Sequence, residues 1–263
     1  MDWKKAIDLG DSWVWRGEKL WHKSAPEVAN IGGGTSFLQR LLVGAVYADH
    51  NRSRIVRRTL FSLMKNMPSD GLAVNVGSGR TDYTDVVNLE IADGPHIDII
   101  GFGTELPFRD CTLDLVIAQE VLEHVPEFPD LICEIRRVLK PGGYFFCQVP
   151  FQIGFHPGPS DYWRFTRQGL EHMFDGPEWE IDQLTISVGH GSGFYRIAVE
   201  FVAVTASCLC SILYRPTKAV ASIFLYPIKF FDLVTRWSPE ADRIPGGYLC
   251  VVKKSKAVEG SWG

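Results

Sequence analysis

The sequence predicts an α/β fold built on a doubly wound, mainly parallel sheet. Three observations predict it. From residue 72 the chain breaks into short apolar runs separated by turn residues. Between two of these runs lies an amphipathic segment whose stripe is Leu131, Ile135, Val138 and Leu139. A Gly-x-Gly bend, Gly77-Ser78-Gly79, follows directly on the first run. Strands joined by crossovers of this kind imply helices packed on both faces of one sheet.

The elements follow in order. Residues 1–50 carry Trp3, Trp13, Trp15, Trp21 and the triplet Gly32-Gly33-Gly34, and are expected to cap the core or to form a lid over a ligand. The spacing predicts a helix over 51–66, with Ile55, Leu60, Leu63 and Met64 near one face and Arg52, Arg54, Arg57 and Arg58 mostly off it. Strands are expected at 72–76, 86–91, 97–102, 113–118 and 144–149. The helix before the last of these should stop at Pro141-Gly142-Gly143, which suits a left-handed cap. A helix over 166–174 with Thr166 as N-cap comes next. Segments 179–188 and 248–252 complete seven strands. Between them, 190–245 is read as two apolar helices near 194–214 and 217–236. The expected division is an N-terminal cap or lid segment (1–50), a core (51–189), an apolar helical insertion (190–245), and a final strand with tail (246–263).

Composition bounds the function. Hydrophobic residues make up 46% and charged residues 22%, enough for an ordinary core. The formal net charge is -4 with no long basic run, so no nucleic-acid partner is expected. The six cysteines form no Cys-x-x-Cys pair and are read as reduced thiols. The N-terminus lacks the apolar stretch of a signal peptide. The longest uncharged apolar run, 201–214, is shorter than the roughly 20 residues of a spanning helix. A cytoplasmic protein is expected, with membrane association as an option through the insertion.

The bend points to a ligand. Glycines there let a ligand approach the backbone, and Glu90, ending the second strand, can accept hydrogen bonds from ribose hydroxyls. Only residues 80–85 separate bend and strand, too few for the helix whose N-terminus would hold a pyrophosphate. Asp82 stands where a dinucleotide fingerprint has its third glycine. A phosphate-free adenosine ligand fits best.

Six segments, in this order, carry a family resemblance: Asn75-Val76-Gly77-Ser78-Gly79, Leu89-Glu90-Ile91, Leu106-Pro107-Phe108, Leu113-Asp114-Leu115-Val116-Ile117, Val121-Leu122-Glu123-His124-Val125 and Arg137-Val138-Leu139-Lys140-Pro141-Gly142-Gly143. Over roughly residues 70–175 the chain resembles the class I S-adenosylmethionine-dependent methyltransferases of the small-molecule, type 11-like kind. The segment Asp161-Tyr162-Trp163-Arg164-Phe165-Thr166 is similar to one in members linked to cell-surface sugar or polyketide-like metabolites. The resemblance implies a Rossmann-like sheet of seven strands with an antiparallel last strand, and S-adenosylmethionine as cofactor. It implies that Gly77, Ser78 and Gly79 pass under the methionine part, that Glu90 holds the ribose, that Gly103 and Thr104 border the adenine, and that Gln119 faces the sulfonium. Asn75 replaces the usual acidic residue, and Phe102 stands where an aspartate often meets the adenine.

Methyl transfer needs alignment, water exclusion and, for a hydroxyl acceptor, a base. His156, after the fifth strand, is the preferred base, and His124, after the fourth, is the other. Asp161, Tyr162 and Arg164 are placed to orient His156 or to bind the acceptor. His190 is a remoter candidate. No metal is expected. The alternative is a divalent ion on Glu120, Glu123 and His124, which at i, i+3 and i+4 could share one helical face.

A small-molecule, glycan or lipid-linked acceptor, methylated on oxygen, is expected. The insertion is read as packing on the sheet or covering the acceptor pocket, with a homodimer interface or a membrane-surface patch flanked by Arg215, Lys218, Lys229 and Arg236 as alternatives. Glu200 and Asp232 argue against deep membrane insertion. Two competing functions are a nucleotide-dependent oxidoreductase or epimerase, which would need a longer first crossover helix and a Tyr-x-x-x-Lys pair, and a binding protein without turnover.

Overall fold

A computed structural model describes residues 3–26 and 53–256. Its strands are β1 (Trp13–Arg16), β2 (Lys19–His22), β3 (Ala73–Val76), β4 (Val87–Glu90), β5 (Ile99–Ile100), β6 (Leu113–Gln119), β7 (Leu139–Pro150), β8 (Trp179–Val188) and β9 (Gly247–Lys254). They form one sheet in the order β1-β2-β5-β4-β3-β6-β7-β9-β8. From β2 to β7 all neighbours are parallel. The last strand, β9, runs antiparallel to β7 and β8, as expected.

The sheet has nine strands rather than seven. The two extra strands come from the N-terminal segment, which was expected only to cap or cover the core. Leu20 is fully buried and Trp13 nearly so, and β2 pairs in register with β5 through Leu20 and Ile99. The hairpin thus covers what would otherwise be a bare edge strand only two residues long. Residues 27–52, including the glycine triplet and Arg52, lie outside the described residues.

Helices α1 (Arg54–Asn66), α2 (Phe128–Val138) and α3 (Arg167–Met173) cover the sheet. Leu131, Ile135, Val138 and Leu170 join Val74, Val76, Val116 and Ala118 in the larger core. On the opposite face Val56 and Leu60 pack with Ala73, Leu115 and Ile117. The alternation of strand residues between two apolar clusters is the doubly wound pattern. Val56 takes the buried place on α1 that was expected for Ile55, which is exposed.

Two further boundaries shift. Helix α2 ends at Val138, because Leu139 is already extended and Pro141-Gly142-Gly143 belong to the start of β7. Gly142 does take the left-handed conformation, but within that strand entry rather than as a helix cap. Thr166 caps α3 as expected, its side-chain oxygen accepting from Gly169 N at 3.0 Å.

The insertion comprises α4 (His190–Ser207), α5 (Tyr214–Phe224) and the short α6 (Asp232–Thr235). The second expected helix is broken after Phe224, where Pro227 lies in a tight 3₁₀ segment, Tyr226–Phe231. A small core of Tyr195, Val199 and Ala221 joins α4 to α5. Among the described residues no helix is long and apolar enough to cross a membrane.

Candidate functional site

The carboxyl ends of β3, β4, β6 and β7 meet at one edge of the sheet, where ligands of open α/β sheets bind. The chain leaves β3 at Gly77 and Gly79, both at positive φ (63° and 56°). A side chain on Gly77 would lie 2.6 Å from Val121 Cγ2, so glycine is required there by backbone and by space.

Glu90 ends β4 and reaches back to the bend. Its Oε2 accepts from Gly79 N at 2.9 Å and its Oε1 from Ile91 N at 2.8 Å. The two features that predicted an adenosine ligand are therefore in contact. No helix forms between Gly77 and Val86, as the short connection required. His96, which sequence reasoning missed, hydrogen-bonds Gly79 O at 3.0 Å. Ser78 Oγ is buried and has no hydrogen-bond partner. An unsatisfied hydroxyl at such a bend suits a polar ligand group.

Asn75 is buried and bonded to Asn88 across the β3–β4 pair at 3.3 Å. Gln119 is also committed: its Oε1 accepts from Tyr83 OH at 2.5 Å and its Nε2 donates to Gln148 Oε1 at 3.1 Å. Tyr83 was not foreseen, since it lies in the short connection that replaces a helix. Burial raises its phenol pKa. Gly103 and Thr104 follow β5, and a side chain on Gly103 would meet Leu131 and Val76, so that glycine also serves close packing. Phe102 stacks edge-on against His22 from the N-terminal hairpin, with ring centroids 5.5 Å apart.

Beyond β6 the chain turns sharply. Glu120 takes a left-handed φ of 56°, rare for a side-chain-bearing residue and typical of strained functional turns. A single 3₁₀ turn, Leu122–His124, follows. Glu120, Glu123 and His124 therefore do not share a helical face, contrary to the spacing argument. Among the described residues, the group whose ligating atoms converge is Glu123, His124 and His156, all within 4.8 Å of one another.

Glu123 is fully buried, and neither carboxylate oxygen receives a hydrogen bond from another residue. Burial pushes its carboxyl well above the usual range, and the nearby charge of Glu120 adds to the shift. The Nε2 atoms of His124 and His156 lie 3.6 and 3.7 Å from Glu123 Oε1. His124 Nδ1 is held by Ser160 O. His156 Nδ1 sits 3.1 Å from Gly154 O and 3.3 Å from Asp161 Oδ2.

The loop after β7 supplies this clamp. Arg164 forks onto Asp161 with contacts of 2.6 and 2.8 Å, and Asp161 Oδ2 also accepts from His156 N at 2.8 Å. The guanidinium holds the Asp161 carboxyl down at about 2, against the opposing effect of burial. Tyr162 joins through its backbone, Tyr162 N donating to Glu123 O at 2.7 Å, while its side chain is half exposed. The predicted set His156, His124, Asp161 and Arg164 is thus assembled, and Tyr162 joins it through its backbone. His190 stands apart, its ring nitrogens on Thr235 Oγ1 and Ala241 O.

A glycine bend is thus tied to a strand-end carboxylate, beside a histidine–carboxylate cluster at the same edge of an α/β sheet. Residues 83–147 match a family model described as a methyltransferase domain. The chain is 38% identical over 131 residues to a demethylmenaquinone methyltransferase of Bacillus cereus (strain AH187), covering 49% of this chain and 52% of that protein. It is 32% identical over 124 residues to a protein of Mycolicibacterium smegmatis named a probable S-adenosylmethionine-dependent methyltransferase, covering 44% and 48%. The chain spans about half the length of these curated relatives. A solved phosphoethanolamine N-methyltransferase 2 of Haemonchus contortus shares 12% identity with a TM-score of 0.44, over 84% of this chain and 57% of that one. Over about half its length the chain is thus similar to S-adenosylmethionine-dependent methyltransferases.

Proposed function

We propose that this protein transfers the methyl group of S-adenosylmethionine to a hydroxyl oxygen of a small molecule or of a glycan- or lipid-linked intermediate. The observation that carries this reading is the Gly79–Glu90 hydrogen bond on the same sheet edge as the Glu123–His124–His156 cluster. The bound cofactor supplies a methyl on a good leaving group. The chain's own part is to align, to dry the site and to remove the acceptor's proton.

Gly77, Ser78 and Gly79 form the floor under the methionine part, Glu90 takes the ribose hydroxyls, and Gly103 and Thr104 border the adenine. Gln119 faces the sulfonium end, held there by Tyr83 and Gln148. Asn75 braces the bend through Asn88 and reaches the cofactor amine only by exchanging that bond. His156 offers the lone pair for the acceptor proton, because Gly154 O and Asp161 hold its other nitrogen as the donor. Calorimetry with S-adenosylmethionine, S-adenosylhomocysteine and NAD tests the assignment. Binding of NAD alone removes it. Tight S-adenosylmethionine binding without turnover on any hydroxylated acceptor supports a binding protein instead.

The insertion favours an acceptor met at a lipid surface. Phe201, Leu209, Ile212, Phe224, Phe231 and Trp237 are each at least 62% exposed. These exposed apolar side chains, interspersed with Arg215, Lys218, Lys229 and Arg236, have the composition of an interfacial segment. The acidic residues weighed against this are engaged within the insertion: Glu200 bonds Lys218 and Tyr214, and Asp232 binds the start of α4. Flotation with vesicles containing anionic phospholipid should carry the protein upward. Failure to float, with a dimer in solution, makes the face a subunit contact instead.

A further inference from the structure

We propose that Glu123, His124 and His156 bind one divalent transition-metal ion, and that this ion activates the acceptor hydroxyl. The inference rests on the methyl-transfer reading for its chemistry and refines its proton step. Its geometry stands independently.

With Glu123 ionised and both rings neutral, the three side chains present acceptors to one another without a donor between them. Carbonyl oxygens only accept, so Ser160 O and Gly154 O require an N–H on Nδ1 of His124 and His156. In the neutral rings the lone pairs are then on Nε2, the atoms nearest Glu123 Oε1. Separations of 3.6 and 3.7 Å are too long for hydrogen bonds. Donors bonded at about 2.1 Å to a tetrahedral ion lie about 3.4 Å apart, close to the two separations from Glu123, and all three ligating atoms fall within 4.8 Å of one another.

The surroundings match a metal centre as well. Ligating histidines usually donate their second N–H to a carbonyl or carboxylate, which fixes ring and tautomer. Both rings here do so, and His156 has Asp161 as a further partner. Glu123 is fully buried with no donor from another residue, a costly state for a carboxylate that a cation relieves. Two imidazoles and one carboxylate favour zinc, iron or manganese over magnesium, which prefers oxygen ligands.

Three protein ligands leave an open position. An acceptor hydroxyl bound there becomes more acidic, as metal-bound water does. Its O–H bond breaks with the proton passing to solvent, its oxygen forms the new O–C bond, and the cofactor's S–C bond breaks with its electron pair retained by sulfur. The His156 lone pair then serves the ion rather than the proton.

The test uses the full chain, stripped with chelator, dialysed against zinc and analysed for metal. About one zinc per chain is expected, with tetrahedral d–d absorption after cobalt loading. Glu123→Gln and the pair His124→Ala/His156→Ala should lose affinity by more than the about 10–100-fold typical of an outer partner. The exposed His172→Ala should keep it. Circular dichroism confirms that each variant is folded, and Glu123→Gln keeps the side-chain shape. No stoichiometric zinc or cobalt, or equal binding by the folded ligand variants, overturns the proposal. S-adenosylmethionine calorimetry on the same samples separates the two readings. Cofactor binding without metal removes the ion and leaves His156 as base. Metal without cofactor leaves the site and removes methyl transfer.

Discussion

Gly79 N donates to Glu90 Oε2 at 2.9 Å, so the glycine bend after β3 and the carboxylate ending β4 form one unit. A second bond, from Ile91 N, fixes the other oxygen of the same carboxylate. In the proposed complex a ribose hydroxyl donates to the same carboxylate, and a hydrogen bond to a charged group contributes about 1.5–3 kcal/mol. Glu90→Ala is therefore expected to weaken S-adenosylmethionine binding by about 10–100-fold. Glu90→Gln, which keeps an acceptor, should lose less. Calorimetry on folded variants reads both, and unchanged affinity for Glu90→Ala removes Glu90 from the ribose site.

Gly77 combines a positive φ with a close neighbour. An added methyl would lie 2.6 Å from Val121 Cγ2 and 3.2 Å from Cγ1. Gly77→Ala should cost about 1–3 kcal/mol of stability, from backbone strain and crowding together. Val121→Ala opens space but leaves the strain. The double variant should thus recover part of the loss and never all of it. Urea melts measure this, and full recovery would mean that the left-handed backbone costs nothing there.

The core was legible because its signals are local. The periodicity of Leu131, Ile135 and Val138 and the uniform burial of Ala73, Val74 and Val76 follow from their own spacing. Glu90 was legible as a strand end beside a glycine bend. The N-terminal hairpin was not, because its four-residue strands of tryptophan and charge carry little signal of their own, and β2 joins the sheet only through β5. The break after Phe224 was masked by apolar residues on both sides. At the site, the spacing of Glu120, Glu123 and His124 suggested one helical face. The left-handed Glu120 and the single 3₁₀ turn redirect that segment, and His156 arrives from another strand. Convergence across 33 positions of chain is a tertiary fact that neither segment encodes alone.

Asp161 gives a pH prediction. Its folded pKa is depressed to about 2, chiefly by Arg164. A depressed carboxyl stabilises the fold above its unfolded pKa, about 3.9, and loses that contribution as pH falls through the folded value. Asp161→Asn should therefore destabilise the protein by up to about 2 kcal/mol at pH 7. The gap between variant and wild type should narrow from pH 4 towards pH 2. Urea melts at pH 7 and pH 3 check the sign, and a gap that widens in acid contradicts it.

Turnover distinguishes the proposed base or ligand from a merely structural histidine. His156→Ala should lower kcat by at least about 100-fold, the lower range for a lost acid–base group. Cofactor affinity should stay nearly unchanged, because none of the contacts of Gly79 or Glu90 includes His156. Steady-state kinetics and calorimetry on the same variant read the two quantities. Undiminished turnover removes His156 from the chemistry.

Asp232 ties the end of the insertion back to its start. Its carboxylate accepts from Gly191 N at 2.7 Å and from Ser192 Oγ at 2.6 Å, at the first turn of α4. It caps that helix from a distant segment, with its charge at the favourable end of the helix dipole. Losing such a cap costs about 0.5–2 kcal/mol. Because the insertion has its own small core, the loss should be local: Asp232→Ala should speed amide exchange at Gly191 and Ser192 while leaving β3 and β6 protected. If exchange rises equally in those strands, the insertion and the sheet unfold as one unit. The variant would then also be expected to lose cofactor binding, which local fraying alone leaves intact.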